Sequence, residues 1–300
     1  MELCGSMLNK FLILILFTIP QCLRGQLLST KDSLILNGDS VVVTATRSER
    51  MMGNITVPVT LINAKAIQQS GSTRLTDILK EQTGLTITSG FGAGIQLQGL
   101  NPDYTIILIN GEPLVGRTAG VLDLNRIALG NIKKIEIVKG PSSSLYGSEA
   151  MAGVINIITD NTVSTPLQAS LRYGSYNTKD VNINNTSYSK SLMYQGFYNY
   201  YSTDGYSIRP NSNNRVTTPI NRLTTNQQLK YTLNSKTTLL LGTRLTDETI
   251  KSNIAVSNGG TTINSNGNEH NVDININGTL YYRFTSHLKT SFRTYVTNYI

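Results

Sequence analysis

Residues 132–159 read IKKIEIVKGPSSSLYGSEAMAGVINIIT, and this stretch decides the fold of the middle of the chain. Its first apolar run, at residues 135–138, is typical of a short strand, and the Gly-Pro pair that follows ends that strand. A second apolar run at residues 154–158 resumes a buried strand, while Gly147 and Gly153 allow backbone angles that other residues avoid. The stretch therefore predicts two strands joined by a turn-rich block.

The same stretch resembles the closing segment of the plug domain of TonB-dependent outer-membrane receptors. In that family a basic-Gly-Pro turn precedes a Leu-Tyr-Gly-Ser stretch and a Gly-Val-Ile-Asn-Ile-Ile-Thr strand, which residues 139–141, 145–148 and 153–159 match. The resemblance implies an α+β plug domain followed by antiparallel transmembrane β-barrel strands. The plug structural motif is then carried by Gly99, Gly111, Gly140, Pro141, Tyr146, Gly147, Gly153 and Asn156.

The composition is atypical of a soluble enzyme. Only 15% of the 300 residues are charged, Trp is absent, and Asn, Thr, Ser and Tyr dominate the second half. Strands that meet lipid on one face and a polar interior on the other explain this low charge. Although the net charge is +8, the Lys and Arg residues are scattered singly, so we expect no nucleic-acid partner.

The N-terminal residues have the order of a secretory signal peptide. Residues 11–19, FLILILFTI, lie between a basic residue and a proline, and the apolar run is too short to span a bilayer as a helix. We expect a signal peptide over residues 1–25, with a buried core helix as the alternative. Both cysteines, Cys4 and Cys22, lie inside this segment, so the mature chain would carry no disulfide and no cysteine nucleophile.

Residues 39–47, DSVVVTATR, form a short β-prone run. A run of this kind with unpaired backbone groups adds as a strand to the sheet edge of another protein, although it could also be the first strand of the globular domain. The resemblance implies that this run is the TonB box, within a linker over residues 26–56, and that it couples to TonB with the ExbB–ExbD energy complex. The matching residues are Asp39, Val41, Val42, Val43, Thr44 and Ala45.

Residues 57–160 alternate between short strands and short helices, which predicts a compact α+β domain. We expect residues 95–98 and 105–109 to pair as an antiparallel hairpin, so that segments 89–94 and 114–121 emerge together on the side away from its turn. The resemblance implies that these two segments form the substrate-contacting apex of the plug, and plain surface turns are the alternative. The predicted contacts are Ser89, Gly90, Phe91, Gly92, Gly94, Val115, Gly116, Arg117 and Thr118.

From residue 161 onward the hydrophobic pattern has period two. In residues 272–284 the apolar side chains occupy even positions and the polar ones mostly odd positions. Strands of ten residues or more suit a tilted membrane crossing, whereas the strands of a soluble β-sandwich, the alternative, are usually shorter. About seven crossings fit into residues 161–300, far fewer than the roughly 22 that enclose a plug. We therefore interpret this region as the N-terminal portion of an incomplete barrel.

The connections between these strands predict which end faces out. Short turns alternate with two long polar connections, residues 204–221 and 250–270, and outer-membrane barrels have short periplasmic turns and long external loops. We expect both long connections, with His270, to face outward and His287 to face the periplasm. His270 is the candidate ligand for haem iron or another metal, and a solvated loop histidine is the alternative.

No catalytic constellation is found in the sequence, so we expect no enzyme, no catalytic residue and no resident cofactor. The carboxylates in and near the matched stretch are expected to cap turns or to pair with neighbouring lysines. These carboxylates are Asp103, Glu112, Asp123, Glu136 and Glu149. Gln96 and Gln98 stand where many relatives have arginines, so those relatives' plug-to-barrel ion pairs are not carried over.

The resemblance implies a receptor in the outer membrane of a Gram-negative bacterium, with outer-membrane lipid around its barrel. It would import a scarce nutrient with TonB-coupled energy: a siderophore, haem or a related iron complex, or cobalamin. The alternatives are a non-transporting outer-membrane binding protein or adhesin and, more distantly, a secreted soluble β protein.

Overall fold

The structure is a computed structural model that describes residues 42–43, 50–51, 58–90, 92–114, 117–118, 121–160, 166–207, 217–258, 261–285 and 288–299. Residues 40–300 form one compact unit that contains all of them. The predicted signal peptide lies outside the described residues. Within the described part, no helix has both the length and the apolar character that a membrane crossing needs.

The described part of the chain begins with β1 (Val42–Val43), which pairs antiparallel with β2 (Arg50–Met51) in a sheet of their own. We call residues 58–160 the plug, after the resemblance. Its elements are, in chain order, β3 (Val59–Asn63), α1 (Ala64–Ser70), α2 (Leu75–Lys80), β4 (Leu85–Gly90), β5 (Gly92–Leu97), a 3₁₀ turn (Pro102–Tyr104), β6 (Thr105–Ile109), β7 (Glu112–Pro113), β8 (Arg117–Thr118), β9 (Val121–Leu122), a 3₁₀ turn (Leu124–Arg126), β10 (Ile132–Lys139), α3 (Ser143–Tyr146), a 3₁₀ turn (Ser148–Ala150) and β11 (Gly153–Thr159).

The core of the plug is a five-stranded sheet in the order β3-β10-β11-β6-β7. Strands β10 and β11 pair antiparallel with Ile135 opposite Ile157, which confirms the predicted strand, turn and strand. The two helices cover one face of the sheet. Leu75 and Leu79 of α2 and Ile135 of β10 are all 0% exposed in the main core cluster, and full burial of such side chains stabilises by about 1.5–3 kcal/mol each.

Local sequence signals explain where the first helix begins and ends. The Asn63 side chain accepts a hydrogen bond from the Ala66 amide at 2.9 Å, so it caps α1. Gly71 ends the same helix with a left-handed φ of 68°. Between β6 and β7, Asn110 and Gly111 both have positive φ, at 53° and 83°, which is the geometry of a tight two-residue hairpin turn.

The predicted hairpin between residues 95–98 and 105–109 is wrong. Strand β5 instead pairs antiparallel with β4, and Gly90 lies opposite Gly92 at the tip. Strand β6 pairs parallel with β11 and antiparallel with β7. The physical reason is burial: four of the five residues of β6 are buried, which suits the interior of the sheet better than a surface hairpin.

The second half of the described chain is one antiparallel sheet of seven strands, which we call the wall. Among the described residues each of its two edge strands, the first and the last, has a single neighbour. The strands are β12 (Leu167–Gly174), β13 (Thr178–Ser189), β14 (Leu192–Thr203), β15 (Ile220–Thr232), β16 (Thr237–Asn258), β17 (Thr261–Arg283) and β18 (Lys289–Tyr299). The predicted fold class is confirmed.

The two faces of the wall differ as the period-two pattern predicts. Polar side chains face the plug and are buried against it, as with Asn275 at 1% exposure. On the opposite face, Ile276 is 54% exposed and Phe292 is 71% exposed. A sheet that is polar toward the interior and apolar on the outside is the arrangement of a transmembrane barrel wall.

One of the two long connections is different from the prediction. Residues 250–258 and 261–270 are not a loop, because β16 and β17 extend as paired strands of 22 and 23 residues, with Asn258 opposite Thr261. The Asn-rich and Gly-rich composition of this segment led to the wrong expectation. Its Ile, Val and Thr residues suit an extended backbone, and each strand supplies the pairing partner of the other. The connection after Thr203 is as expected, since β15 begins at Ile220.

Candidate functional site

Two hairpins lie together at one end of the plug, β4–β5 and β8–β9. Asp123 joins them, because its Oδ1 accepts the Ala93 amide of β5 at 3.1 Å and the Asn125 amide at 3.0 Å. The second bond caps the 3₁₀ turn that follows β9, so the Asp123 side chain is held in place by the backbone of that turn. Residues 89–94 and 114–121 meet in their described parts, since Gly94 lies against Val121. The strand pairing that brings them together is different, and they do not emerge away from the turn at residues 99–104, because Gly94 also lies beside Pro102.

Gly94 allows this close approach. An added Cβ at Gly94 would lie 2.8 Å from Oγ1 of Thr88 and 2.9 Å from Cγ1 of Val121, distances that real Cβ atoms do not show. The predicted contact residues Ser89, Gly90 and Gly92 belong to the tip of the first hairpin, and Arg117 and Thr118 form β8. The predicted contacts outside the described residues are Phe91, Val115 and Gly116.

The motif residues of the opening stretch connect neighbouring strands of the plug sheet. Asn156 accepts the Gly111 amide at 3.0 Å and donates to Glu136 at 3.5 Å, so one side chain ties β11 to the β6–β7 turn and to β10. Glu136 also forms an ion pair with Lys134 at 2.7 Å, as expected for a carboxylate with a lysine neighbour. Positive φ angles occur at Gly99, Gly111, Gly140, Gly147 and Gly153, whereas Pro141 lies exposed after β10 and Tyr146 packs on the smaller core cluster.

The plug contacts the wall through a buried ionic centre that the sequence did not predict. Arg126 of the plug donates from Nε to Oε1 of Glu248 at 2.9 Å and from Nη1 to the Tyr299 hydroxyl at 3.1 Å. Arg222 of the wall donates to Oε2 of the same glutamate at 2.6 Å. Glu248 is 0% exposed, so one buried carboxylate serves a plug arginine and a wall arginine together.

A second plug arginine, Arg74, contacts side chains of the wall nearby. Arg74 donates from Nη1 to Oδ1 of Asn199 at 3.0 Å, and its Nη2 lies 3.4 Å from Oδ1 of Asp180. The guanidinium also lies over the ring of Tyr201, 4.3 Å from its centroid. All of these partners face the plug from β13 and β14.

The two plug arginines have opposite pKa shifts, for physical reasons. Burial lowers the pKa of Arg74, and the attraction of Asp180 offsets only part of this effect. For Arg126 burial acts in the same direction, but Glu248 and the Tyr299 hydroxyl outweigh it, so the pKa of Arg126 is raised. Both guanidinium groups remain charged at any physiological pH because their ordinary pKa is so high.

A third ionic contact lies at β7. Nε of Arg293, on β18, is 3.1 Å from Oε1 of Glu112. Burial raises the pKa of the Glu112 carboxyl, and Arg293 and Arg244 oppose this shift. The expectation for Glu112 as a paired carboxylate is thus confirmed, although its partner is an arginine of the wall and not a neighbouring lysine.

Most of the predicted TonB box lies outside the described residues, including Asp39, Val41, Thr44 and Ala45. Val42 and Val43 are described as β1, with Val42 opposite Met51 and Val43 opposite Arg50. This sheet is separate from that of the plug. The predicted coupling residues stay a prediction.

The metal candidate His270 does not lie on a loop, because it is part of β17. Its Nε2 is 3.0 Å from Oδ1 of Asp247 on the neighbouring strand. No group of three or more His, Cys, Asp or Glu side chains that could hold a metal ion occurs in the described part of the chain. His287 lies outside that part.

The family model described as the TonB-dependent receptor plug domain matches residues 52–154. The vitamin B12 transporter BtuB of Vibrio vulnificus (strain CMCP6) is 30% identical over 181 residues, which cover 58% of this chain and 30% of the transporter.

Solved structures share the fold. A mutant ferric enterobactin receptor (PfeA) of Pseudomonas aeruginosa matches with a TM-score of 0.65 at 19% identity, over 86% of this chain and 42% of that one. The P. aeruginosa protein FpvA, solved with a heterologous pyoverdine, matches with a TM-score of 0.68 at 14% identity, over 84% of this chain and 35% of that one. The chain thus spans less than half the length of these relatives. The family match identifies residues 52–154 as a TonB-dependent receptor plug domain, and the plug sheet together with the wall has the fold of the solved structures.

Proposed function

We propose that this chain is the front part of an outer-membrane receptor of a Gram-negative bacterium that imports a scarce nutrient with TonB-coupled energy. The observation that carries the proposal is the plug seated by buried ion pairs against the polar face of an amphipathic wall. Such an assembly blocks a pore and is held by contacts that mechanical work can break. An outer membrane holds no nucleotide pool, so that work must arrive from elsewhere.

The nutrient class is an iron chelate, haem or cobalamin. The named relatives support this range, since one is a vitamin B12 transporter and another is a ferric enterobactin receptor. We propose that substrate contacts the plug apex formed by β4–β5 and β8–β9. Glycine-rich hairpins expose backbone donors to a ligand, and Asp123 holds the two hairpins side by side.

We further propose that residues 39–45 are the TonB box and that residues 1–25 are a signal peptide that directs the chain to the outer membrane. A β-prone run near the N-terminus can pair edge to edge with a partner strand and carry tension along its own backbone. TonB with the ExbB–ExbD complex is the proposed periplasmic partner, and outer-membrane lipid surrounds the wall.

Growth and fractionation test this function. The receptor that carries this chain is expressed in a Gram-negative host without competing receptors, with ferric enterobactin, haem or cyanocobalamin as the limiting nutrient. We expect at least one nutrient to support growth only when TonB is active, with the receptor in the outer-membrane fraction. Binding with no TonB-dependent growth on any of the three would favour a non-transporting binding protein or adhesin. Recovery in the soluble fraction would indicate a secreted β protein.

A further inference from the structure

A polar chamber lies between the plug and the wall, beside β7. Its volume is about 640 Å³, enough for roughly 20 water molecules at about 30 Å³ each. The plug contributes the β6–β7 turn and the wall contributes strands β15 to β18. Most of the lining side chains on the wall are amides, hydroxyls and phenols, so the chamber can hydrogen-bond a polar guest.

The chamber lies toward the short-turn end of the wall. Arg244 of its lining is four residues from Glu248 along β16, in the direction of the turn at residues 233–236. At about 3.3 Å per residue, that places Arg244 roughly 13 Å beyond the buried ionic centre. Leu240 and Tyr281 extend the lining further in the same direction. A molecule that leaves the plug apex toward the short turns would therefore pass the ionic centre first and the chamber second.

The charges of the chamber are divided between its two sides. Three charged side chains line it: Arg244 and Arg293 from the wall, and Glu112 from the plug. Arg293 contacts Glu112 at 3.1 Å. Arg244 has a carboxylate of the wall near it, since its Nη2 lies 3.7 Å from Oδ2 of Asp273. The carboxylate that faces Arg293 thus belongs to the plug, which is the part that moves in the proposed function.

Movement of the plug removes negative charge from the chamber and leaves its positive charges in place. When β7 leaves the wall, Glu112 leaves with it, and Arg244 and Arg293 remain on the strands that line the chamber. Arg244 keeps Asp273, whereas Arg293 loses the partner that it has in the seated state. A guanidinium in a partly enclosed site binds carboxylates, phenolates and phosphates strongly, because its hydrogen bonds to them are charge-assisted.

We propose that Glu112 occupies the position that an anionic group of the transported molecule takes during passage, so that the chamber is an anion-binding subsite on the exit path. The substrate class that follows is a cargo that carries at least one exposed oxyanion. This inference rests on the proposed function and makes its substrate class narrower. The raised pKa of the Glu112 carboxyl agrees with a site that is partly shielded from water.

The first test detects anion binding at the subsite directly, without any transport. The full receptor is crystallised as wild type, as Glu112→Ala and as Glu112→Ala/Arg293→Gln, and each crystal is soaked in sodium bromide. We expect an anomalous bromide peak at the Arg293 guanidinium in Glu112→Ala alone. An empty chamber in Glu112→Ala would overturn the proposal. A peak that persists in the double variant would also overturn it, since the ion would then be adventitious.

The second test reads the substrate class in cells. Ferric enterobactin is an anionic chelate, whereas ferrichrome is an uncharged hydroxamate chelate without a free oxyanion, so the receptor should import the first in preference. Arg293→Gln should lower that uptake about tenfold while surface binding is unchanged. Arg283→Gln is the matched control, because Arg283 is an exposed arginine at the same end of the wall that does not line the chamber.

The outcomes of the second test separate two kinds of failure. Equal import of both nutrients, or full import by Arg293→Gln, would overturn the substrate class while the receptor function stands. Import of neither chelate, together with no TonB-dependent growth on haem or cyanocobalamin, would contradict the proposed function, and the bromide peak would still decide whether the subsite exists.

Discussion

Arg126 of the plug donates a hydrogen bond to Glu248 of the wall at 2.9 Å, and the glutamate is fully buried. Glu248 also accepts from Arg222, which belongs to the wall itself. When the plug leaves, Glu248 therefore keeps one cationic partner and is not stranded as an uncompensated buried charge. The contact is strong enough to seat the plug and can still be broken at limited cost, because the most expensive state, an unpaired buried carboxylate, is avoided.

Substitutions on the two sides of this contact should have unequal effects. Arg126→Gln leaves Glu248 with Arg222, so we expect a loss of about 1–2 kcal/mol in the free energy of plug unfolding. Glu248→Gln leaves two arginines without their shared carboxylate, and the expected loss is about 3–5 kcal/mol. Urea denaturation of the purified receptor, followed by protease cleavage within the plug, measures both values.

The control for this pair is Arg172→Gln. Nη1 of Arg172 also reaches from the wall to the plug, where it donates to the Gly71 carbonyl at 2.8 Å, but the contact is exposed and involves no charge pair. We expect its cost to be below about 1 kcal/mol. Equal losses for Arg172→Gln and Glu248→Gln would contradict the role given to the buried ionic centre.

Gly153 should be the least replaceable glycine of the opening stretch. Its φ is 154°, and an added Cβ would lie 2.2 Å from the Val138 carbonyl oxygen on the paired strand. Gly153→Ala should therefore lower the stability of the plug by roughly 3 kcal/mol, from backbone strain together with the clash. Gly99→Ala is the matched control, because Gly99 also has positive φ, at 78°, but has open space around its Cβ position. A Gly99→Ala effect as large as that of Gly153→Ala would refute the steric argument.

The sequence was informative where local pattern decides the structure. Strands β10 and β11 follow from adjacent apolar runs and a turn-rich block between them, and Gly153 stands where a special backbone angle is needed. The pairing of residues 105–109 could not be predicted in this way. This segment, β6, pairs with β11, which is more than 40 residues further along the chain, and that choice depends on burial in the assembled sheet. Strand β5 is therefore left to pair with β4.

The buried ionic centre was beyond prediction for a related reason. Arg126 and Glu248 are 122 positions apart, and single charged residues in a polar face give no information about their partners. The register of the wall strands supplied part of the signal, since it brings Arg222 opposite Glu248. The inward-facing pair of Arg222 and Glu248 could have been predicted as a contact with the plug. The arginine of the plug that reaches it, Arg126, could not have been predicted.

Asp123 should control the order of the plug apex. Its carboxylate accepts the Ala93 amide and so fixes β5 beside the segment after β9. Asp123→Ala should speed hydrogen exchange at the Ala93 amide by about tenfold, because a charge-assisted bond of this kind contributes about 1.5 kcal/mol or more. Hydrogen-exchange mass spectrometry of the receptor measures this.

The matched control for Asp123 is Asn63→Ala, which removes a cap of the same kind at α1, outside the apex. It should cost about 1 kcal/mol of helix stability and leave exchange at Ala93 unchanged. If both variants changed the Ala93 amide equally, Asp123 would have no special part in holding the apex.

The pH dependence of plug stability should carry a contribution from Glu112. Burial raises the pKa of the Glu112 carboxyl above its ordinary value of 4.5, so the seated plug binds the proton more tightly than the unfolded plug. The resulting stabilisation is fully present below the ordinary pKa and is lost as pH rises through the raised pKa. The urea midpoint of wild type minus that of Glu112→Gln should fall over this window and then level off. A difference that grows with pH would mean that Arg293 and Arg244 outweigh burial.

Proline in the proposed TonB box should separate uptake from binding. Val42→Pro removes a backbone donor that a partner strand of TonB would use, so TonB-dependent uptake should fall while surface binding of the substrate survives. The same change also weakens the small sheet in which Val42 lies opposite Met51. Met51→Pro is therefore the informative control, because it disrupts that sheet and keeps the Val42 amide. Loss of uptake in both variants would place the requirement in the β1–β2 sheet, whereas loss in Val42→Pro alone would place it in pairing with the partner. Normal uptake by Val42→Pro would exclude this run as the coupling strand.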